Sequence, residues 1–223
     1  MNDLIADNIT YIYKGKYQSV KALKEFSFRF IPGKFYAILG ASGSGKTTLL
    51  SLLAGLDVPT EGIVSFDGLS TKDIDRDEYR MEHVSVIYQN YNLFAHLTVM
   101  ENAAYPLYIH NVPKKEADAI AVSNLKKVGI TEEQMKRFPK TLSGGEQQRI
   151  AIARALASGS EIILADEPTG NLDTKNTENV IKILHSLAKD DGRCVIVVTH
   201  DLDVAQEADV VLKMSDGKLV DQR

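Results

Sequence analysis

Short apolar runs recur along this chain, each closed by a polar residue or glycine: Phe35-Tyr36-Ala37-Ile38-Leu39, Val84-Ser85-Val86-Ile87-Tyr88, Ile162-Ile163-Leu164-Ala165 and Val195-Ile196-Val197-Val198. Runs of this length predict strands buried on both faces, as in a parallel sheet covered by helices. Between them, Val180, Ile181, Leu184 and Leu187 share one stripe while Lys182 and Lys189 lie off it, the period of an amphipathic helix. The succession predicts an α/β core. Alternation in Phe26-Ser27-Phe28-Arg29-Phe30 and again in Ile63-Val64-Ser65-Phe66, bounded by Pro32-Gly33 and Asp67-Gly68, suggests antiparallel strands instead, in a small β lobe over about 1–35 and 60–70. From about 90 to 157 the strand runs disappear. Pro113 as a start, apolar Ala117, Ile120, Ala121, Leu125 and Val128, and Gly129 as a stop predict an amphipathic helix in an inserted helical lobe. The charged run Lys72 to Glu78 reads as a solvated helix or loop.

Composition narrows the class without naming it. A chain of 223 residues with 44% hydrophobic and 25% charged residues, 15 Gly and 6 Pro is ordinary globular material, long enough for one substantial domain over 1–223. Its 26 Lys and Arg against 30 Asp and Glu leave a formal charge of -4, which argues against a dedicated nucleic-acid binder; no nucleic-acid partner is expected. The single Cys194 excludes an intrachain disulfide and reads as a small buried thiol in a reducing compartment. Met1-Asn2-Asp3-Leu4 shows no basic, then apolar leader, and no later run approaches the roughly eighteen apolar residues of a membrane span, so the chain is not expected to cross a bilayer itself.

Chemistry enters directly after the first buried run. Gly40-Ala41-Ser42-Gly43-Ser44-Gly45-Lys46-Thr47-Thr48, followed by the apolar Leu49-Leu50-Ser51-Leu52-Leu53, is G-x-x-x-x-G-K-[ST] between a strand and a helix. Glycines let the backbone curl so that successive N–H groups point inward, the helix N-terminus adds its dipole, Lys46 reaches the β- and γ-phosphates, and Thr47 supplies a hydroxyl to Mg²⁺. Another run ends in Asp166-Glu167-Pro168, at the sheet edge where open parallel sheets bind ligands. Asp166 suits the same Mg²⁺, and Glu167 suits polarisation of an attacking water. Gln89 and His200 end two further strands at this edge, Gln89 placed to sense metal and water and His200 to contact a γ-phosphate. His83, His96, His110 and His185 share no metal-ligand spacing.

Leu142-Ser143-Gly144-Gly145-Glu146-Gln147-Gln148-Arg149 discriminates further. Ser143 reads as an N-cap with exposed glycine amides opening a helix, which makes a second potential anion cradle in one chain. Because the first cradle already encloses one nucleotide's phosphates, the second either binds another anion or acts on the nucleotide of a second molecule.

These motifs together resemble the nucleotide-binding subunit of ATP-binding cassette (ABC) transporters, over nearly the whole length. The resemblance implies a P-loop NTPase fold with a RecA-like parallel-sheet core and the ligands ATP and Mg²⁺. It makes Gly40 to Thr48 the Walker A loop, Gln89 the Q-loop glutamine and a metal contact, and Leu142 to Gln147 the signature. Walker B is then Ile162 to Asp166, with Glu167 the catalytic base, Asp173 the D-loop acid and His200 the switch histidine. Tyr13 falls where the family stacks an aromatic on adenine, with Tyr11 as the alternative. The resemblance also implies a head-to-tail homodimer with each ATP between Walker A of one chain and Ser143, Gly144, Gly145 and Gln147 of the other. Glu146 stands where many members have glutamine.

Asp166 to Asp173 and Leu97-Thr98-Val99-Met100-Glu101-Asn102 are similar to the subgroup of LolD, MacB, FtsE and the bacitracin-resistance exporters. That implies an FtsX- or MacB-like permease partner, a peripheral position on the cytoplasmic face of the cell membrane, and export or extracytoplasmic work on hydrophobic, peptide, lipoprotein or antibiotic substrates. Tyr91, Phe94, Tyr105 and Tyr108 either face that permease or fill the lobe core. Rival classes are a soluble ABC ATPase of ribosome, DNA or cofactor assembly, a non-hydrolysing regulatory module and a simple P-loop kinase; a single cassette, intact Glu167 and His200, and the Leu142 to Gln147 motif count against them in turn.

Overall fold

The computed structural model describes residues 2–15 and 18–223. The chain runs β1 (Leu4–Lys14), β2 (Ser19–Phe30), β3 (Phe35–Leu39), α1 (Lys46–Leu53), β4 (Glu61–Phe66), β5 (Leu69–Ser70), α2 (Arg76–Glu82) and β6 (Val84–Ile87). It continues through α3 (Val99–Ile109), α4 (Lys114–Lys127), α5 (Glu132–Met135), a 3₁₀ turn (Pro139–Thr141) and α6 (Gly144–Ala157). The last third holds β7 (Ile162–Asp166), α7 (Thr174–Lys189), β8 (Cys194–Thr199), α8 (Leu202–Gln206), β9 (Val210–Ser215) and β10 (Lys218–Gln222).

Two sheets form, in orders β2-β1-β4-β5 and β10-β9-β3-β8-β7-β6. The first is antiparallel; the second is parallel except for the β9–β10 pair. The unbroken apolar runs are explained by what covers each face. Phe35, Ala37, Ile163, Ala165, Val195 and Val197 pack with α6 and α7, where Val180, Ile181, Leu184 and Leu187 are buried as their spacing predicts. The alternate residues Tyr36, Ile38, Ile162, Leu164, Cys194, Ile196 and Val198 point the other way, into a second core with α1 and with Leu4, Ile9, Leu23, Phe26 and Phe30 of the antiparallel sheet. A strand with apolar cover on both sides has no polar face to show. Burial pushes the Cys194 thiol up to about 12, so it stays protonated and packs as a small hydrophobe.

The α/β architecture read from the sequence is present, and the Lys72 to Glu78 run resolves into the approach to α2, whose N-cap Asp75 accepts from the Asp77 and Glu78 amides. The sequence reading passed over β9 and β10, although β9 holds the apolar run Val210-Val211-Leu212; β10 is mostly exposed and polar and gives no such run. Helices α3 to α6 fill the chain between β6 and β7, with Ala103, Ala104, Ala117, Ala121 and Ala153 buried where they meet. Small residues let the helix axes approach closely. Asn102, fully buried, staples the preceding loop to α3: it accepts from the Phe94 amide (2.8 Å) and donates to the carbonyls of Phe94 (3.0 Å), Leu97 (3.1 Å) and Thr98 (2.9 Å). Asn102→Ala leaves the Phe94 amide and the Leu97 carbonyl without their partner, while the Phe94 and Thr98 carbonyls keep the Leu97 and residue-102 amides, and is expected to cost about 1–3 kcal/mol, read as a lower urea midpoint at unchanged slope.

Candidate active site

The loop after β3 reaches α1 through Gly45 at φ +98, a conformation glycine adopts without a steric cost. A Cβ there would sit 2.6 Å from the Ala22 carbonyl, so the loop is pressed against β2 as well as curled. Helix α1 then opens with no side-chain cap, whereas α2, α3, α5, α6, α7 and α8 all have one. Its first amides and its dipole face a cleft, the arrangement that suits an anion. Lys46 is buried beside them, its Nζ donating to the carbonyls of Gly40 (2.7 Å) and Ala41 (3.2 Å). Carbonyl dipoles only partly compensate a desolvated ammonium, so a phosphate oxygen is a better partner than the ones it has.

Parallel pairing brings the ends of β6, β7 and β8 alongside this loop. Thr47 Oγ1 donates to Asp166 Oδ1 across 3.5 Å. Burial, and then the neighbouring Glu167 charge, hold the Asp166 carboxyl above the usual aspartate range. Glu167 has φ +47, a left-handed position that costs a non-glycine residue about 1–2 kcal/mol. Its surroundings hold it there: its amide donates to the Val198 carbonyl (2.9 Å), and its carboxylate accepts from Thr199 Oγ1 (3.1 Å) and the His200 amide (3.4 Å). His200 Nδ1 lies 3.0 Å from the same carboxylate. The ring itself is largely exposed, leaving its other edge toward solvent. Gln89 packs its amide against Gly170, whose added Cβ would lie 2.7 Å from Gln89 Nε2.

These groups line one open cleft of about 870 Å³, with Tyr13, Ser42, Gly43, Gly45, Lys46, Thr47, Thr48, Gln89, Asp166, Glu167 and His200 on its walls. Tyr13 is half-exposed and shares a 3.2 Å hydrogen bond between its hydroxyl and Thr48 Oγ1. Tyr11 meets the Tyr13 ring edge-on at 4.9 Å but turns toward the core and lies outside the cleft lining, so the choice left open in the sequence falls geometrically on Tyr13. Val20, Lys21, Ala22, Lys24, Asp216 and Gly217 also line it, and sequence reasoning missed them. Only an Asp216-Gly217 turn hints at a role. That turn is braced by the Gly217 amide on the Ser44 carbonyl (3.1 Å) and the Lys24 amide on the Gly217 carbonyl (2.8 Å).

A family model described as "ABC transporter" matches residues 23–170. The chain belongs to the ABC transporter family. Among curated relatives, the ABC transporter ATP-binding protein YclH of Bacillus subtilis is 39% identical over 97% of this chain and 95% of its own. MJ0796 of Methanocaldococcus jannaschii is 41% identical over 95% and 93%. The macrolide export ATP-binding/permease protein MacB of Shigella flexneri is 42% identical over 91% of this chain, which spans 32% of MacB. A solved dimeric structure of MJ0796 superimposes with TM-score 0.91 at 38% identity, covering 99% of this chain and 97% of that one. A post-hydrolysis MJ0796 structure bound to ADP and Pi gives 0.90. This ABC protein is an ATPase with the P-loop NTPase fold.

The ABC signature segment stands apart from the cleft: Ser143, Gly144, Gly145, Gln147 and Asp173 are absent from its walls. Ser143 caps α6 in a reciprocal box, its Oγ accepting from the Glu146 amide (3.4 Å) while the Glu146 carboxylate accepts from the Ser143 amide (2.7 Å) and hydroxyl (2.8 Å). Burial pushes the Glu146 carboxyl up, but the Ser143 amide and hydroxyl that donate to it outweigh this and hold it below the usual range. The glycine pair is less open than the sequence suggests. Gly145 is buried against Asn176, whose Cγ would lie 2.3 Å from an added Cβ, and Gly144 lies under the Tyr91 hydroxyl. The pair therefore serves close packing as well as exposure of amides. Gln147 Nε2 donates to the Leu142 carbonyl (2.9 Å), and exposed Asp173 caps α7 by accepting from the Asn176 amide (2.8 Å) and side chain. Of the lobe aromatics, Phe94 is less than half exposed and meets Tyr105 at 4.5 Å, while Tyr108 donates to Asp118 and packs on the lobe core.

Proposed function

We propose that this ABC ATPase is the motor subunit of a membrane transporter and closes head to tail with a second copy around MgATP. The observation that carries this is the presence of two half-sites: a cleft with lysine, acids and uncapped helix amides, and a capped helix whose Ser143, Gly144 and Gly145 do not line that cleft. A second copy supplies what the first lacks, and the solved dimeric structures of MJ0796 support this pairing.

Within the cleft, Lys46 shifts from the Gly40 and Ala41 carbonyls to phosphate oxygens, the α1 amides hold the same phosphates, and Tyr13 stacks on adenine. A hydroxyl and a carboxylate converging at a strand end are the hard oxygen donors a Mg²⁺ ion takes, so Thr47 and Asp166 fit it, with Gln89 on the same wall. When bound, that ion supplies neutralisation of phosphate charge. Glu167 accepts the proton of the attacking water, and His200 and Thr199 fix its carboxylate in place. Asp173 of each copy faces the other across the dimer. ATP closes the pair because only the closed state satisfies its phosphates from both sides; loss of that contact on hydrolysis reopens it.

The partner is an FtsX- or MacB-like permease, a reading supported by the 42% identity to the ATP-binding third of the ATP-binding/permease protein MacB. Among the described residues no helix is long and apolar enough to cross a membrane, in keeping with a peripheral subunit held at the cytoplasmic face by that permease. The work is export, or extracytoplasmic work, on hydrophobic, peptide, lipoprotein or antibiotic substrates. Purification of the tagged chain from gently solubilised source cells with ATP present tests this: a stoichiometric multi-spanning membrane protein is expected. Ribosomal proteins, DNA or soluble assembly factors in its place would retain the ATPase and overturn the transporter role.

A further inference from the structure

The turn that carries Gln89 is strapped to the signature helix at two points. After β6 the chain reverses through residues 88–92, the Tyr91 amide donating to the Tyr88 carbonyl (3.0 Å) and the Asn92 amide to the Asn90 carbonyl (2.6 Å). Tyr91 and Asn92 have φ +59 and +49, consecutive left-handed positions that a tyrosine enters against a steric cost and an asparagine tolerates better than most residues. Arg154, in the last turn of α6, supplies the compensation: its Nη2 donates to the Tyr91 carbonyl (3.0 Å) and its Nη1 to the Asn92 carbonyl (2.7 Å). Both bonds are charge-assisted, and both land on the strained residues. At the other end of α6 the Tyr91 hydroxyl rests on Gly144, 2.7 Å from where a Cβ would be. On its far side the turn leans on the loop after β7, where Asn171 Nδ2 donates to the Gln89 carbonyl (3.4 Å).

We infer that Arg154 is a positioning residue for Gln89: its guanidinium holds the strained turn that aims Gln89 into the cleft, and makes that turn and the signature helix one body. The inference rests on the role given to the cleft above. Loss of the two bonds lets Tyr91 and Asn92 relax out of the left-handed region and carries Gln89 away from Asp166. Lys46, Thr48 and Tyr13 belong to β1, the P-loop and α1, which Arg154 does not touch. Nucleotide binding should therefore survive while turnover and dimer closure fail, a split that mere loosening of the fold would not produce.

The test uses the full chain and compares Arg154→Met, Asn92→Val and Asn92→Gly with the parent. Methionine keeps an aliphatic side chain of similar length but donates nothing, and it also gives up the guanidinium over the Phe94 ring, whose centroid lies 5.8 Å from Arg154 Cζ. Asn92 is exposed, so valine there challenges the backbone conformation and not the core, which keeps the test decisive if Arg154→Met does not fold. Binding of fluorescent mant-ATP with Mg²⁺ and phosphate release give Kd and kcat. Arg154→Met and Asn92→Val are expected to change Kd by less than about twofold and to lower kcat about tenfold or more, with Asn92→Gly at least about fivefold faster than Asn92→Val. In a Glu167→Gln background, Arg154→Met should raise the ATP concentration needed for dimerisation about fivefold or more, a readout independent of turnover. Variants that match the parent on both readouts, valine and glycine at 92 behaving alike, or Kd rising as much as kcat falls would overturn the strap alone. A parent that neither binds mant-ATP nor releases phosphate would overturn the cleft assignment on which it rests.

Discussion

Glu167→Gln is expected to lower ATP turnover by about 10²–10⁴-fold while leaving ATP bound. The substitution removes the proton-accepting oxygen and little else. Glutamine is isosteric, its Oε1 can still accept from the Thr199 hydroxyl, and its Nε2 can donate to His200 Nδ1 in place of the present 3.0 Å contact. The left-handed backbone at φ +47 and the amide bond to the Val198 carbonyl are untouched. None of the phosphate-holding groups, Lys46 and the uncapped α1 amides, depends on this side chain. Because hydrolysis would no longer release the closed state, ATP should convert the variant into a dimer that persists for the length of a light-scattering run, with phosphate release measured on the same sample. Turnover equal to the parent's would remove Glu167 from the role of base. Full loss of ATP binding would instead mean that the acid shapes the cleft and does not act in it.

Lys46→Ala should weaken ATP by about 10- to 10⁴-fold, the loss of one or two charge-assisted hydrogen bonds to phosphate at about 1.5–3 kcal/mol each. The same change is expected to leave the fold intact. Nζ now rests on the carbonyls of Gly40 and Ala41, and the ammonium is desolvated without forming an ion pair among the described residues. Removing it relieves a burial cost and strands only carbonyls at the mouth of an open cleft. Titration with mant-ATP alongside a thermal melt separates the two effects: lost affinity at a retained melting midpoint assigns Lys46 to the ligand, while unchanged affinity would take the loop out of phosphate binding. The pair of variants is complementary, one holding ATP without turning it over and the other failing before that step.

The sequence by itself determined whatever is written in contiguous residues or in a single period. Alternate cover of β3, β7 and β8 by two cores left unbroken apolar runs, and the P-loop, the acid pair after β7 and the Ser143 helix start are each complete within nine residues, because a turn, a cap or a strand end is specified by its own chain neighbours. Tertiary structure decided what depends on groups far apart in the chain. It turned the Tyr13 ring to the cleft and the Tyr11 ring to the core. It set Glu167 against Thr199 and His200 and braced the P-loop with Gly217. Arg154 on the Gln89 turn and the packing of Gly144 and Gly145 under Tyr91 and Asn176 belong to the same class. Each joins segments whose separation is fixed by strand order and helix packing, and no local propensity encodes which distant partner a side chain will meet. For the same reason the cleft and the Ser143 helix start, both legible as motifs, were seen not to share one lining only once the fold placed them.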